Sequence, residues 1–417
     1  LSPDYETAAR FIPPVATRTG VPLVQATNEL YFNLFLPAGP RPANGWPVAI
    51  FGHGFGDNKN SSPFVVASTL AANGIATIAI NVVGHGRGPA GTLTVTRLSG
   101  PPVTLPAGGR GIDQDGNGVI DSTEGVNAAP PRTIIASRDG LRQTVVDLMQ
   151  LVRVIQVGVD VEGDGVPDLD AERIYYFGQS FGGIYGTIFL GVEPAVRAGV
   201  PNVPGGAIIE IARLSPSFRF LVGISLALRV PSLSNLPPAF DPVVGAVVPQ
   251  FAENLPLRDL PPVVNTVPGA AAIQTVIENT EWVSQSGNPV AYAPHLRRSP
   301  LPGLEAKPVI VQFAKGDRTV PNPTATALIR AGDLADRATY FRNDLVVAAI
   351  PGAPTNPHTF LTNIGVPSVA ALAVAAQQQI GIFFATDGAV VVDPDGGAPF
   401  FEVPIAGPLP EALNFLP

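Results

Sequence analysis

Residues 173–190, RIYYFGQSFGGIYGTIFL, decide the reading of this chain. Arg173 to Phe177 is a run of branched and aromatic residues, the composition of a buried strand, and it stops at Gly178. From Gly182 to Leu190 the apolar residues continue over a length that suits a helix. Between the two, Gly178-Gln179-Ser180-Phe181-Gly182 puts a serine at the junction, with a glycine two residues away on either side. A serine in so tight a strand-to-helix turn needs those glycines, because a Cβ at either place would meet neighbouring backbone. The turn pushes the hydroxyl into the open, and the helix N-terminus beyond it favours negative charge nearby. Ser180 is therefore a candidate nucleophile.

Outward from this junction, strand-like and helix-like segments alternate. Strands are predicted over residues 29–36, 46–51, 75–81, 308–314 and 345–350, and helices over 64–72, 137–157, 323–335 and 368–384. In the second helix Leu141, Val145, Leu148, Met149, Val152 and Ile155 fall at the three-and-four spacing of one buried side. Strand, helix, strand implies a mostly parallel sheet covered on both faces, an α/β fold. Residues 1–213 are expected to form the N-terminal part of the core and 303–387 its C-terminal part. Between them, residues 214–302 break into short apolar pieces divided by prolines, as an inserted cap or lid would. The last segment, 388–417, is expected to add a hairpin, with its turn at Asp395 and Gly396.

A serine hydroxyl is inert at neutral pH until a base takes its proton, so the chain must supply a histidine. His53 lies in the loop 52–56, His85 in Gly84-His85-Gly86, His295 in the expected cap, and His358 in a loop after the last expected strand. The chain order nucleophile, acid, histidine selects His358. The orienting acid belongs at a strand end between Ser180 and His358, and Asp317 directly follows the strand 308–314, with Asp344 and Glu210 in reserve. Acyl transfer also needs donors for a tetrahedral oxyanion. The backbone N–H after the nucleophile, Phe181, is one; the second is expected from the glycine-rich loop 52–56, at Phe55 with Gly54 behind it. His53 and His85 read as loop-bracing residues rather than reacting ones.

The His-Gly loop, the elbow at 178–182, Asp317 and His358, in that order, resemble the α/β-hydrolase superfamily over roughly residues 29–384. Within it the chain looks like bacterial secreted lipases and esterases, such as the group of virulence-factor lipases. The resemblance implies an eight-stranded, mostly parallel sheet and ester hydrolysis through an acyl-enzyme.

Two acidic loops depart from many members of that superfamily. Asp113, Asp115, Asn117, Asp121 and Glu124 occupy positions 1, 3, 5, 9 and 12 of a calcium loop, with Gly118 at the sharp turn and Val119 placed to offer its carbonyl. Asp160, Glu162, Asp164, Asp168 and Asp170 form a second cluster around Gly165, with Val166 in the carbonyl position and Ala171 where the bidentate carboxylate would stand. Structural calcium is the expectation for both, and no organic cofactor is expected.

Composition sets the outer limits. The chain of 417 residues carries 25 Lys+Arg and 33 Asp+Glu, a net charge of −8, which argues against binding nucleic acid or an anionic membrane. With 46% hydrophobic residues there is material for a sizeable core. Cysteine is absent, which removes thiolate chemistry, disulfides and Cys-ligated metals. No apolar run approaches the ~20 residues of a membrane-spanning helix. The chain opens at Leu1 as a processed form does, and a secreted or cell-surface location is expected. The expected function is a serine carboxylic-ester hydrolase acting on apolar acyl esters, among them small molecules, lipids or polyesters. A serine peptidase or amidase of the same fold, or a calcium-stabilised surface protein that binds without catalysis, is the alternative.

Overall fold

The computed structural model describes residues 12, 24, 26–126, 133–255 and 266–416. Its centre is an eight-stranded sheet. The strands in chain order are β1 (Phe32–Phe35), β2 (Trp46–Gly52), β3 (Ala76–Ile80), β4 (Thr92–Val95), β5 (Val103–Pro106), β6 (Leu169–Gln179), β7 (Val196–Asn202), β8 (Leu236–Asp241), β9 (Ala246–Gln250), β10 (Val311–Ala314), β11 (Ala338–Phe341) and β12 (Phe401–Glu402). The sheet order is β1-β3-β2-β6-β7-β10-β11-β12. Every internal pairing is parallel, and only the edge strands β1 and β12 run antiparallel. The carboxyl ends of β2, β6, β7, β10 and β11 therefore share one edge, which is where open α/β sheets place their sites.

Apart from the single turn Pro289–Tyr292, the α-helices among the described residues are α1 (Ser62–Ala72), α2 (Thr133–Val157), α3 (Phe181–Val192), α4 (Ile208–Leu214), α5 (Arg219–Arg229), α6 (Ala270–Ser284), α7 (Asn322–Gly332), α8 (Asn343–Ala349) and α9 (Ala370–Ala385). They cover both sides of the sheet. Alternation along β6 sends Ile174 and Tyr176 to one face, against α2, α3 and α7, and Tyr175 and Phe177 to the other, against α1 and α9. All four side chains are fully buried. Each large apolar side chain so covered stabilises the fold by about 1.5–3 kcal/mol, which is why β6 reads as a continuous apolar run and not an alternating one. A sheet of this order, parallel inside and double-covered, with a tight serine-bearing turn after a central strand, is the α/β-hydrolase fold. No single helix among the described residues is long and apolar enough to cross a membrane.

Two expectations need correction, and one strand was not anticipated. Residues 345–350 were expected as a strand, but they lie largely in α8; the strand is β11, just before them. A short apolar run has no periodicity that separates the two, and here only Asn343 and Val346 of the helix are buried, whereas all of β11 is. The C-terminal hairpin is reduced to one short strand, β12, pairing with β11. Its intended partner, residues 389–392, is held instead by side chains of the preceding helical region: Gln379 Nε2 donates to the Val392 carbonyl at 2.6 Å and Val390 N–H to Thr386 Oγ1 at 3.2 Å. Finally, β7 is a central strand that the sequence pattern does not announce, because VRAGVPN mixes an arginine, a glycine and a proline into it.

Within residues 214–302, α5, the hairpin β8–β9 and α6 gather around a small cluster of their own: Val222, Leu226, Leu233, Phe251, Ile273 and Ile277. Glu253 ties this cluster to α4 and α5, accepting from Arg213 at 3.1 Å and from Arg219 at 2.7 Å. Phe218, packed against the main core, and Leu221 line a cavity that also touches Ser180.

Candidate active site

Ser180 sits between the last residue of β6 and the first of α3 with φ 58° and ψ −118°. A non-glycine residue in that region costs on the order of 1–3 kcal/mol and persists only when its surroundings hold it there. Here they do. Ser180 N–H donates to the Asn202 carbonyl at 2.9 Å, its own carbonyl accepts from Ile184 N–H at 3.0 Å, and Tyr176 Oη donates to the Gly182 carbonyl at 2.6 Å. The two flanking glycines are sterically required. A Cβ on Gly178 would lie 2.6 Å from the Gly182 carbonyl, and one on Gly182 would lie 2.0 Å from the Gly52 oxygen.

His358 arrives from the loop after α8 and presents Nε2 to Ser180 Oγ at 2.8 Å. Its Nδ1 faces Asp317 Oδ2, also at 2.8 Å. A carboxylate only accepts, so Nδ1 carries the proton and Nε2 is left as the acceptor for the serine hydroxyl. Asp317 is 1% exposed, and its other oxygen accepts from Thr319 N–H at 2.8 Å and Val320 N–H at 2.9 Å. The turn after β10 that delivers it passes through Gly316 at φ +79°. Asp344, the reserve, pairs instead with Arg342 and Lys315, and Glu210 pairs with Arg213.

Two residues that sequence reasoning missed hold the loops together. Asn356 Oδ1 accepts from Arg318 N–H at 3.1 Å while its Nδ2 donates to Thr319 Oγ1 at 3.1 Å, so the histidine loop is fastened to the acid loop. Gln179 Nε2 donates to the His358 carbonyl at 3.3 Å. No local signal marks Asn356. Gln179 lies inside the elbow motif, at a position the motif leaves open.

The loop 52–56 stands beside the nucleophile, since a Cβ on Gly54 would come within 3.5 Å of Ser180 Cβ. Neither Phe55 N–H nor Phe181 N–H has a protein acceptor among the described residues. His53 braces this loop as expected. Val82 N–H donates to its Nε2 at 3.2 Å, so Nδ1 carries the hydrogen and donates to the Gly54 carbonyl at 2.9 Å. Burial pushes the His53 pKa down to about 4 and keeps the ring neutral. Tyr185 Oη then donates to the His53 carbonyl at 3.0 Å.

Against Ser180 opens a cavity of about 200 Å³ whose walls are mostly apolar: Leu141 from α2, Ile184 from α3, Ile211 and Ala212 from α4, Phe218, Leu221 and Val320. Ser137 and Thr144 are its polar lining away from the nucleophile.

The acidic loops behave differently from one another. In the first, carboxylate oxygens of Asp113, Asp115 and Glu124 all lie within 4.8 Å of one another. Asn117 is in contact with them through Nδ2 to Asp115 at 2.9 Å, whereas Asp121 is outside the converging group. Backbone N–H groups, that of Asp121 first, hold the Glu124 carboxyl below its usual pKa and so keep it ionised. An all-oxygen, multiply charged donor set of this kind suits a hard divalent cation. In the second loop no such group converges among the described residues. Arg41, far away in sequence, takes the central place, donating to Asp164 at 2.6 Å, to Asp168 at 2.8 Å and to the Val166 carbonyl at 3.1 Å. Asp160 caps the Gly163 and Gly165 amides at 2.7 and 2.8 Å, and Asp170 accepts from Glu172 N–H at 2.9 Å. Three of the oxygens expected to surround an ion are thus bonded to a guanidinium, and Glu162 is exposed.

No protein-family model matches the chain, and no curated protein matches it in sequence. Solved structures similar to it include an acetyl xylan esterase from Paenibacillus sp. R4, at 16% identity and TM-score 0.38 over 72% of this chain and 69% of that one. A monoacylglycerol lipase from Paleococcus ferrophilus is similar at 12% identity and TM-score 0.40, covering 86% of this chain and 100% of that one. An acylaminoacyl peptidase from Pyrococcus horikoshii is similar at 13% identity and TM-score 0.45, covering 89% of this chain and 42% of that one. The assignment of the fold rests on the sheet order and the elbow described above.

The elbow geometry yields a direct test. Gly182→Ala forces a Cβ into the Gly52 carbonyl and is expected to cost about 3 kcal/mol of stability, read as a lowered urea midpoint with hydrolysis lost in step. An unchanged midpoint would show that the close approach of β2 and α3 is not a constraint.

Proposed function

We propose that the chain is a serine carboxylic-ester hydrolase that works through an acyl-enzyme and prefers apolar acyl groups. The observation that carries this is the continuous relay Ser180 Oγ, His358 and Asp317, with 2.8 Å at each step, opening onto the apolar cavity. Ser180 attacks the ester carbonyl while His358 Nε2 takes its proton, and Asp317 holds the imidazole in the required tautomer and stabilises its cation. The Phe55 and Phe181 amides receive the oxyanion, each such donor being worth roughly 10²–10³ in rate. His358 then protonates the leaving alcohol and activates water against the acyl-enzyme.

Cavity size bears on the acyl group. A cavity of about 200 Å³ is somewhat larger than the roughly 150 Å³ apolar cavity that takes up benzene, so it suits a chain of about six carbons or one ring. Exposed Phe240, Val243, Val247 and Trp282 in the segment expected as a cap extend the proposal to water-insoluble esters such as lipids or polyesters. With p-nitrophenyl esters, kcat/KM is expected to rise about fourfold per methylene from acetate to hexanoate, the factor that ~0.8 kcal/mol per buried methylene supplies, and then to level off. Ser180→Ala should cut turnover by at least roughly 10⁴-fold and abolish fluorophosphonate labelling while the fold survives. A flat chain-length profile would overturn the acyl preference, an anilide panel hydrolysed faster than the esters would favour an amidase, and a wild type that takes up no fluorophosphonate would overturn catalysis altogether.

The first acidic loop is part of the same proposal, as a structural calcium site held by Asp113, Asp115 and Glu124 with Asn117 beside them. It is fastened to the loop around His85, with Gly86 N–H on the Ser122 carbonyl at 3.2 Å and Gly111 N–H on the Arg87 carbonyl at 2.7 Å, so an ion here steadies the wall beside the oxyanion donors. Calcium at a hundred times its dissociation constant is expected to add about 2.7 kcal/mol of stability, seen as a higher melting temperature than in EDTA. Glu124→Gln should remove most of that difference. Equal melting temperatures in calcium and in EDTA would overturn the site.

A further inference from the structure

We propose that His85 is a positioning residue for the oxyanion hole, its ring acting as the shared packing partner that fixes Phe55 and Phe181 relative to each other. The inference rests on the reading of those two backbone amides as the oxyanion donors. It begins from a weakness in the loop 52–56, where three of five residues are glycine and Gly56 stands at φ +82°. Such a segment has much conformational freedom to lose. Phe55 N–H, the group that must be aimed, has no protein acceptor to hold it, and the Phe55 side chain is 45% exposed.

Phe55 is held by rings: it meets Phe218 at 6.2 Å and 86°, and it forms a triangle with His85 and Phe181. Its ring meets His85 edge-on, with centroids 5.4 Å apart at 83°, and Phe181 at 5.9 Å and 81°. His85 closes the triangle by stacking on Phe181 at 5.5 Å and 27°. Fixed aromatic pairs at these separations are attractive beyond the area they bury. One imidazole thus touches both residues whose amides face the reacting carbonyl, and they come from different segments, the loop after β2 and the first turn of α3.

His85 is suited to that task because it is itself immobile. It is fully buried, its Nδ1 faces the Val83 carbonyl at 2.9 Å, its backbone N–H donates to the Val82 carbonyl at 3.1 Å, and its own carbonyl accepts from Arg110 N–H at 2.8 Å. Its Nε2 is buried with no protein partner. A side chain kept only for its polar contacts would use both nitrogens; this one uses a single bond to set the ring plane and spends the rest of its surface on Phe55, Phe181 and His53. Burial also pushes its pKa down to about 3, so the ring stays neutral beside the amides it positions.

Three variants separate this role from a merely structural one: His85→Ala removes ring and bond, His85→Asn keeps a short polar side chain without the ring's bulk, and His85→Phe keeps a ring without the bond. Each is measured for kcat and KM on p-nitrophenyl hexanoate and for affinity toward an alkyl boronic acid, which forms a tetrahedral adduct on Ser180. The expected result for His85→Ala is a roughly ten- to hundredfold loss of kcat, KM within about threefold of wild type, and a loss of boronate affinity that matches the loss in kcat. His85→Phe should recover most of both and His85→Asn should not; if His85→Ala fails to fold, this pair carries the test. The inference is overturned if kcat and boronate affinity stay within about twofold of wild type, if kcat falls while boronate affinity does not, or if Asn rescues as well as Phe. A wild type without esterase activity would instead remove the hydrolase reading on which the inference stands.

Discussion

The structure depends on one over-determined residue. Ser180 occupies a backbone conformation that its side chain disfavours, and four elements prevent it from relaxing. β7 offers the Asn202 carbonyl, α3 ties back through Ile184, β6 supplies the Tyr176 hydroxyl, and β2 approaches Gly182 so closely that no Cβ fits. The central strands and the helix on them are thus mutually fixed at the place where the hydroxyl is presented. The strain there is balanced by the burial of β6 on both faces, where Ile174, Tyr175, Tyr176 and Phe177 contribute several kcal/mol between them.

Asp317 and His358 are brought to that hydroxyl by loops, and loops need fastening. Asp317 is set by two amides of its own turn, His358 by Asp317, and the two loops are joined through Asn356. The Asp317 turn leaves the carboxyl end of β10 directly and His358 comes from the loop after α8, so the sheet and that helix bring both to a serine that is more than a hundred residues away in the chain. The apolar wall of the cavity comes from Leu141 of α2, Ile184 of α3, Ile211 of α4 and Val320, with Phe218 packed against the same cluster. The strand that presents Ser180 and most of the cavity wall therefore rest on one shared cluster, which holds Ile174, Tyr176, Leu141, Ile184, Ile211 and Val320.

How legible each part was follows from how local its cause is. The elbow was legible because its glycine spacing is a steric requirement of five consecutive residues. Asp317 and His358 were legible because few residue types can do their chemistry and the chain holds only 4 histidines. β7 and β11 were not, because strand identity there comes from neighbours: Gly199 and Pro201 are tolerated where both faces are buried, and the apolar run 345–350 has no period to separate helix from strand. In the second acidic loop the sequence spacing shows the donors and not their distant partner. Arg41 lies more than a hundred residues upstream, and its guanidinium uses two of those carboxylates and the Val166 carbonyl.

The histidines show the same distinction within one residue type. His53, His85 and His295 each set their Nδ1 against a backbone carbonyl, of Gly54, Val83 and Ser299 at 2.9, 2.9 and 2.7 Å. A carbonyl fixes the tautomer and the ring plane, but it carries no charge to balance an imidazolium. His358 alone has a carboxylate there, and Asp317 does both things at once: it orders the ring while the serine is neutral and balances it when the proton moves. Burying an imidazole against a carbonyl produces a brace, whereas burying it against an ionised acid within reach of a hydroxyl produces a base. The difference between the histidines that brace loops and the one set against Ser180 Oγ therefore lies in the partner of Nδ1 more than in the histidine itself.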